Sequence, residues 1–194
     1  MLQLLGTRKL DRVHAQDARN LDVQWAIVDI EAFIGRTLCN LERGQLSLQE
    51  YLDWTLFYTP RSFTRDEIVQ AIYQISEPIG DTLDLVRALR ASGRFLLGTI
   101  NNESRELNEY RIQSFGLCDL FSVFFSSCYL GLVKPQPEHY RRALQITQRT
   151  PDECLFVDDR PLNVEVARIL GMHPIQFEST EQLQHDLQAA GVAW

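Results

Sequence analysis

The stretch CLFVDD at Cys154–Asp159 decides the fold, because it is a short apolar run that stops abruptly on two adjacent acids. Such a run is typical of a buried β-strand that carries charge to the rim of a sheet. A second apolar run, FLLG at Phe95–Gly98, ends in the same way on the hydroxyl of Thr99. Polar side chains at successive strand ends indicate a parallel sheet with a functional edge.

From about residue 80 onward, short apolar strands alternate with amphipathic helices. The predicted strands are Phe95–Thr99, Leu120–Phe125, Leu155–Val157 and Pro174–Phe177. The predicted helices run from a cap at Asp81 to Gly93, from Ser104 to Phe115, from Pro137 past Leu144, from Leu162 to Leu170, and onward from a capping box at Ser179 and Gln182. This alternation predicts an α/β fold with a parallel sheet and helices on both faces.

The first eighty residues are predicted to form a small helical subdomain. Ser47 with Glu50, and Thr64 with Glu67, match the capping box that opens a helix. The segment Trp25–Ile30 is predicted to be helical rather than a strand, because apolar residues around it recur at helical spacing. The chain is therefore divided into a helical region, 1–80, and an α/β region, 81–194.

The composition excludes several classes of protein. A formal net charge of −7 argues against a nucleic-acid-binding surface, which needs a basic patch. No run reaches transmembrane length, and the N-terminus lacks the apolar segment of a signal peptide. The cysteines form no CxxC pair and are expected to be buried free thiols of a reducing compartment: Cys39, Cys118, Cys128 and Cys154. We expect a soluble cytoplasmic protein without a nucleic-acid or membrane partner, whose oligomeric state the sequence leaves open.

The paired acids suggest a metal site. Carboxylates of Asp158 and Asp159 are the hard oxygen ligands that Mg²⁺ prefers. Adjacent side chains of a strand point to opposite faces, so both reach one ion only if the chain turns directly after Val157. The net negative charge does not exclude an anionic substrate, because a metal and one lysine reverse the charge locally.

Other strand ends supply groups suited to a phosphate. Because the strand ends of a parallel sheet share one edge, Thr99 and Lys134 are expected to meet the acids there. Lys134 balances the carboxylates and holds a phosphate oxygen, while Thr99 donates a hydrogen bond. The amides of Asn101–Asn102 are either further phosphate contacts or plain turn residues, and the sequence does not choose between these.

Three segments in order resemble motifs II, III and IV of the haloacid dehalogenase (HAD) superfamily. They are FLLGT ending at Thr99, GLVKP around Lys134, and LFVDDRPLN at Leu155–Asn163. LERGQLS at Leu41–Ser47 is similar to a recurrent segment of the small helical cap in the phosphatase-like branch (subfamily IA, variant 3-like). Each motif alone is weak, but order, spacing and strand context together are specific. The resemblance covers about residues 10–178.

The resemblance implies a HAD-like Rossmannoid core with a helical cap, and a Mg²⁺-dependent phosphatase of a small phosphorylated metabolite. By position, Thr99 would be the phosphate-binding hydroxyl, Lys134 the motif III lysine, Asp158 the metal ligand and Asp159 its support. In this family a motif I Asp attacks phosphorus, and water then clears the aspartyl-phosphate. A dehalogenase is compatible with the fold, but the full acidic pair favours a phosphatase.

Motif I itself is not found in the sequence. Counting back from the cap segment places it at or before Met1, with Met1–Gly6 as a remnant beside it. Three explanations of the missing motif stay open: a truncated chain, an error in the assigned start site, or genuine loss of the motif. Asp29 as a displaced nucleophile with Glu31 as acid/base is the competing interpretation. It is disfavoured because only ten residues separate Glu31 from Glu42, which leaves too little cap before the segment that contains Glu42. The alternative function is a catalytically inactive HAD-like binding or interaction protein.

Overall fold

The structure is a computed structural model, and it describes residues 35–194. The predictions for Met1–Gly6, for a helix at Trp25–Ile30, and for Asp29 and Glu31 lie outside the described residues.

The N-terminal part of the described chain is helical. Its helices are α1 over 35–42, α2 at Leu48–Thr55 and α3 at Arg65–Gln74. Both predicted capping boxes are confirmed: the Ser47 and Thr64 hydroxyls accept hydrogen bonds from the backbone N–H groups of Glu50 and Glu67, whose carboxylates accept from the cap residues in return. Each box satisfies N–H groups that the first turn of a helix leaves unpaired.

The remainder of the chain alternates helices and strands, as predicted. In chain order the elements are α4 at Gly80–Ala91, β1 at Gly98–Asn101, α5 at Arg105–Ser114, α6 at Leu117–Leu120, β2 at Val123–Ser126, α7 at Ser127–Leu130, α8 at Pro137–Thr147, a 3₁₀ turn at Pro151–Glu153, β3 at Leu155–Asp158, α9 at Pro161–Ile169, β4 at His173–Gln176 and α10 at Thr180–Ala189. The fold class predicted from the sequence, α/β with parallel strands, is confirmed.

Several predicted boundaries shift. Strand β1 begins at Gly98 rather than at the predicted Phe95. An apolar run indicates that a segment is buried, but a residue belongs to a strand only where its backbone also pairs with a neighbouring strand. Helix α4 begins at Gly80 after Ile79, so Asp81 lies in the first turn and does not cap the helix. The negative charge of its carboxylate still stabilises the helix, because it lies near the positive, N-terminal end of the helix dipole. The predicted box at the start of α10 is half formed, because Gln182 accepts from the N–H of Glu178 instead.

The strands of the described residues form two parallel pairs. β1 pairs with β2, placing Thr99 opposite Phe124, and β3 pairs with β4, placing Asp158 opposite Gln176. Two apolar clusters flank the strands. Phe156 belongs to the cluster with α8 and α9, while the next residue, Val157, belongs to the cluster with α4, α6 and α10. Successive strand side chains thus enter opposite layers, which confirms helices on both faces.

The cysteine prediction is wrong for one residue. Cys128 and Cys154 are buried and Cys39 is half-buried, but Cys118 is exposed. Leu117 and Leu120 occupy the buried face of α6, so the side chain between them turns outward. In the part of the chain that the structure describes, no helix has both the length and the apolar character needed to cross a membrane.

Candidate functional site

A buried ion pair lies at the carboxyl edge of the strands. Lys134 Nζ donates to Asp158 Oδ2 at 2.7 Å, and the two side chains are only 8% and 2% exposed. β3 delivers Asp158 to this edge, and the segment between α7 and α8 delivers Lys134. The structure therefore brings together two residues that the sequence placed at the ends of different strands.

Further donors occupy the other oxygen of Asp158. The backbone N–H of Arg160 and the side-chain amide of Asn163 each donate to Oδ1 at 2.9 Å. With Lys134 on Oδ2, the carboxylate is surrounded by donors from the protein itself. Its negative charge is stabilised by this arrangement in a buried setting.

Asp159 has a different environment from its neighbour. β3 continues through Asp158, one residue beyond the predicted strand end at Val157. The chain therefore does not turn directly after Val157, which was the condition for both acids to reach one ion. Asp159 is exposed and lines a cavity, and its carboxylate forms no hydrogen bond within residues 35–194. The two acids thus differ in burial and in how many of their oxygens are free.

The asparagines behind β1 hold the site together. Asn102 Nδ2 donates to the carbonyl oxygen of Lys134 at 2.9 Å, and its Oδ1 accepts from the Lys134 N–H at 2.7 Å. Asn101 Nδ2 donates to Asn108 Oδ1 at 2.9 Å. The Asn102 amide therefore fixes the backbone of Lys134, a role beyond the two that the sequence left open.

Thr99 presents a hydroxyl with no partner among the described residues. The residue is 4% exposed, and its Oγ1 is buried without a hydrogen bond. The same holds for Asn101 Oδ1 and Asn108 Nδ2. All three residues line one cavity of about 100 Å³, together with Lys134 and Asp159. Unpaired buried polar atoms facing a common space indicate that it receives a polar group.

Burial controls the electrostatics of Lys134. Desolvation lowers the pKa of the ammonium, while the carboxylates of Asp158 and Asp159 act in the opposite direction. A buried lysine beside an ionised partner keeps its charge only while that partner remains in place.

A second buried ion pair was not predicted from the sequence. Arg111 of α5 donates to Glu103, and its Nε donates to Ser76 Oγ at 2.7 Å. Desolvation raises the pKa of Glu103 to about 7, although Arg111 lowers it. Glu103 follows the asparagines directly at a strand end, so the strand-edge rule was a usable signal. Arg111 lies within a helix and carried no such signal.

The helical region also contributes to the cavity. Glu42, at the end of α1, lines it together with Arg160. Burial raises the pKa of Glu42, while Arg160 and then Lys134 lower it. The only signal in the sequence was the cap-like segment that contains Glu42. A larger neighbouring cavity of about 780 Å³ shares Arg111 and Asp159 with the first.

The chain is similar in sequence to several known hydrolases. The chain is 40% identical over 68 residues to chloroplast flavin mononucleotide hydrolase 1 of Arabidopsis thaliana, which is 35% of this chain and 28% of that protein. It thus spans less than a third of that relative. It is 28% identical over 162 residues to D-ribitol-5-phosphate phosphatase of Bacteroides thetaiotaomicron, covering 76% of this chain and 74% of that one.

A solved structure and a family profile agree with these relatives. A HAD-family enzyme of Bacteroides thetaiotaomicron, in complex with magnesium and inorganic phosphate, has a TM-score of 0.66 at 20% identity, over 75% of this chain and 76% of that one. The two chains therefore share a fold. The profile of the haloacid dehalogenase-like hydrolases matches residues 11–171, which is most of the chain. The chain belongs to the haloacid dehalogenase-like hydrolase family.

Proposed function

We propose that this protein is a Mg²⁺-dependent phosphatase of a small phosphorylated metabolite. One observation carries the proposal: Lys134, held by its buried ion pair with Asp158, lines a small cavity together with Thr99, whose hydroxyl has no partner among residues 35–194. A cation and a hydroxyl donor beside an acidic strand end suit a phosphoryl group. Relatives named for phosphatase activity on D-ribitol 5-phosphate and for flavin mononucleotide hydrolysis support the substrate class.

The donor chemistry fits one magnesium ion. No group of three or more His, Cys, Asp or Glu able to hold a metal occurs within the described residues. Mg²⁺ nevertheless binds through one or two carboxylates, completed by waters and substrate phosphate oxygens. Asp159 offers its carboxylate to the cavity, whereas the oxygens of Asp158 already accept from Lys134, Arg160 and Asn163. We therefore assign the direct ligand to Asp159 and a supporting position to Asp158, the reverse of the order that the resemblance implied.

The described residues would bind and orient the phosphoryl group. One hydrogen of the Lys134 ammonium is engaged by Asp158, which leaves the others for a phosphate oxygen. Thr99 would donate to a second oxygen, and Asn102 keeps Lys134 in position through its backbone. When bound, Mg²⁺ supplies charge neutralisation at the phosphate. The attacking carboxylate that the family places in motif I is not assigned to any residue of 35–194.

The test is phosphate release from p-nitrophenyl phosphate and from sugar phosphates, with and without Mg²⁺. It is run on residues 1–194 and on the same residues preceded by a strand that ends in Asp-x-Gly-Gly. We expect little turnover from the first form, because loss of a nucleophile costs on the order of 10³–10⁶ in rate. The second form should be active.

Lys134→Ala should then lower turnover of the active form on the order of 10²–10³-fold, the cost of losing one preorganised donor. Arg141→Ala is the matched control, since Arg141 is an exposed cation on the neighbouring helix α8. No Mg²⁺-dependent turnover by either form would contradict the proposal. Phosphate binding without turnover would instead support the non-catalytic alternative.

A further inference from the structure

We propose that Glu42 selects the substrate by accepting hydrogen bonds from hydroxyl groups next to the phosphate, so that the substrate is a phosphorylated polyol carrying no second negative charge. This inference rests on the proposed phosphatase function and deepens it.

The backbone around Glu42 is held in one place. Gly44 has a φ of +68°, and a Cβ there would lie 2.1 Å from the carbonyl oxygen of Cys128. The loop after α1 therefore packs backbone against backbone on α7, a contact that only glycine permits. The N–H of Gly44 also donates to the Leu41 carbonyl at 3.0 Å. Leu41 is itself buried in the cluster that joins α1 to α2. Glu42 is thus presented to the cavity by a rigid support.

The carboxylate of Glu42 is free to accept from a ligand. It forms no hydrogen bond and no ion pair with any residue of 35–194, although it is half-buried. Lys134 is paired with Asp158 and Arg111 with Glu103, whereas Asp159 and Arg160 also line the cavity without an ion pair among residues 35–194. The charge of Arg160 acts on Glu42 and favours its ionised form, but no hydrogen bond joins the two side chains. A partly buried acceptor without a donor is costly until a ligand supplies one.

The chemistry of the walls restricts the ligand. A carboxylate only accepts, so the group beside it must carry O–H or N–H donors. A second carboxylate or phosphate there would meet like charge. The neighbouring larger cavity repeats this acidic character, with Glu77, Asp81, Glu178 and Glu181 among its lining residues. Sugar alcohol phosphates, with one anionic end and a chain of hydroxyls, match these walls.

The test compares Glu42→Ala and Glu42→Gln with the wild type, in the form of the chain that turns over p-nitrophenyl phosphate. Glu165→Gln, at an exposed residue of α9, is the matched control. The substrates are glycerol 3-phosphate and sorbitol 6-phosphate, phosphoglycolate as a doubly acidic compound, phosphoethanolamine as a cationic one, and p-nitrophenyl phosphate, which lacks hydroxyls.

We expect Glu42→Ala to lower kcat/KM for the polyol phosphates about 10- to 100-fold, the discrimination lost with one charge-assisted hydrogen bond. Turnover of p-nitrophenyl phosphate should fall clearly less than that of the polyol phosphates, because that substrate offers no donor to Glu42. Glu42→Gln should raise kcat/KM for phosphoglycolate by removing the repulsion. An equal loss on all substrates, no loss on any, or a wild-type preference for phosphoethanolamine over glycerol 3-phosphate would overturn the inference.

Calorimetric binding of sorbitol 6-phosphate and phosphoglycolate in the presence of Mg²⁺ separates this inference from the proposed function. Absence of turnover, together with a preference for sorbitol 6-phosphate that Glu42→Ala abolishes, would contradict hydrolysis and support the role of Glu42. Turnover with equal binding of the two compounds by wild type and variant would support hydrolysis and overturn the role of Glu42.

Discussion

Asp158 and Asp159 are neighbours in the chain, yet their carboxylates lie in different surroundings. Asp158 ends β3 and is buried among donors from Lys134, Arg160 and Asn163. Asp159 follows at the turn and faces the cavity. A single residue of additional strand therefore separates a structural acid from an available one. Substitution of Asp158 should therefore mainly lower stability, whereas substitution of Asp159 should mainly weaken metal binding.

Asp159→Asn is expected to weaken Mg²⁺ binding at least about tenfold while leaving stability close to that of the wild type, because it removes the exposed carboxylate that we propose as the direct ligand. Calorimetry with Mg²⁺ and inorganic phosphate measures the first effect, and urea unfolding the second. Asp119→Asn, at an exposed position on α6, is the control. Unchanged Mg²⁺ affinity in Asp159→Asn would contradict our assignment of the direct ligand.

Asp158→Asn is expected to destabilise the protein by about 3–5 kcal/mol, because it leaves the buried Lys134 ammonium without its counter-charge. Urea unfolding measures this loss. The double variant Asp158→Asn with Lys134→Met should recover much of it, since both charges are then gone. A double variant less stable than Asp158→Asn would argue against the ion pair as the cause.

Glu103 gives the stability of the protein a pH dependence. Desolvation raises its pKa to about 7 in the folded state, from an ordinary value of 4.5. Between these values the folded state binds more protons at Glu103 than the unfolded state does. Its contribution to stability is therefore fully present below about pH 4.5 and is lost as the pH rises through 7.

The free energy of unfolding of the wild type, minus that of Glu103→Gln, should accordingly fall between pH 4.5 and 7. Urea unfolding at several pH values measures the difference. A difference that is flat or rises across this window would show that Glu103 is ionised throughout.

At the scale of elements, the loop that joins α1 to α2 is built around one close contact. Gly44 has a left-handed φ and lies against the Cys128 carbonyl, which leaves no space for a side chain. Gly93, after α4, has a similar φ of +66° but nothing within 4 Å of its Cβ position. These two glycines allow the cost of backbone conformation to be separated from that of crowding.

Gly93→Ala should destabilise the protein by about 1–2 kcal/mol, the cost of a left-handed conformation for an L-residue. Gly44→Ala should cost clearly more, because α1 and α7 must also move apart. Thermal and urea unfolding of both variants provide the comparison. Equal losses of stability in the two variants would show that the loop after α1 makes room for a Cβ at no extra cost in free energy.

At the scale of the whole molecule, helix α5 ties the helical region to the α/β region. Glu106 accepts from the N–H of Leu48 at 3.0 Å, and the Tyr110 ring stacks on Tyr73 with centroids 4.1 Å apart. The Tyr110 hydroxyl also donates to the Tyr73 carbonyl, and Arg111 donates to Ser76. The division into 1–80 and 81–194 remains a prediction. These contacts indicate that residues 35–80 unfold together with residues 81–194.

Tyr110→Ala should lower stability by about 2–3 kcal/mol in a single transition, because it removes the stack and the hydrogen bond between the two regions. Tyr110→Phe should cost about 1 kcal/mol, since only the hydrogen bond is lost. Urea unfolding followed by tryptophan fluorescence and by circular dichroism measures both. Two separated transitions in the wild type would contradict the single cooperative unit.

The sequence by itself determined the elements and much of the site's edge. Capping boxes at Ser47 and Thr64 involve groups within one helical turn, so their chemistry is readable locally. Thr99, Lys134 and Asp158 were predicted to lie together because parallel strands end at one edge, which is a property of the fold class. Hydrophobic periodicity likewise predicted the α/β alternation, with errors of a few residues at the strand boundaries.

Only the tertiary structure decided which of those side chains are hydrogen-bonded within the protein and which are free at the cavity. The sequence could not show that both oxygens of Asp158 accept hydrogen bonds from the protein itself, or that Asn102 is hydrogen-bonded to the backbone of Lys134. Nor could it show that Arg111 forms an ion pair with Glu103. Each of these contacts joins residues whose proximity depends on how separate elements pack. Glu42 enters the cavity for the same reason, through the contact of Gly44 with Cys128. Local sequence encodes turns and periodicity, whereas burial and pairing across elements arise only when the chain is folded.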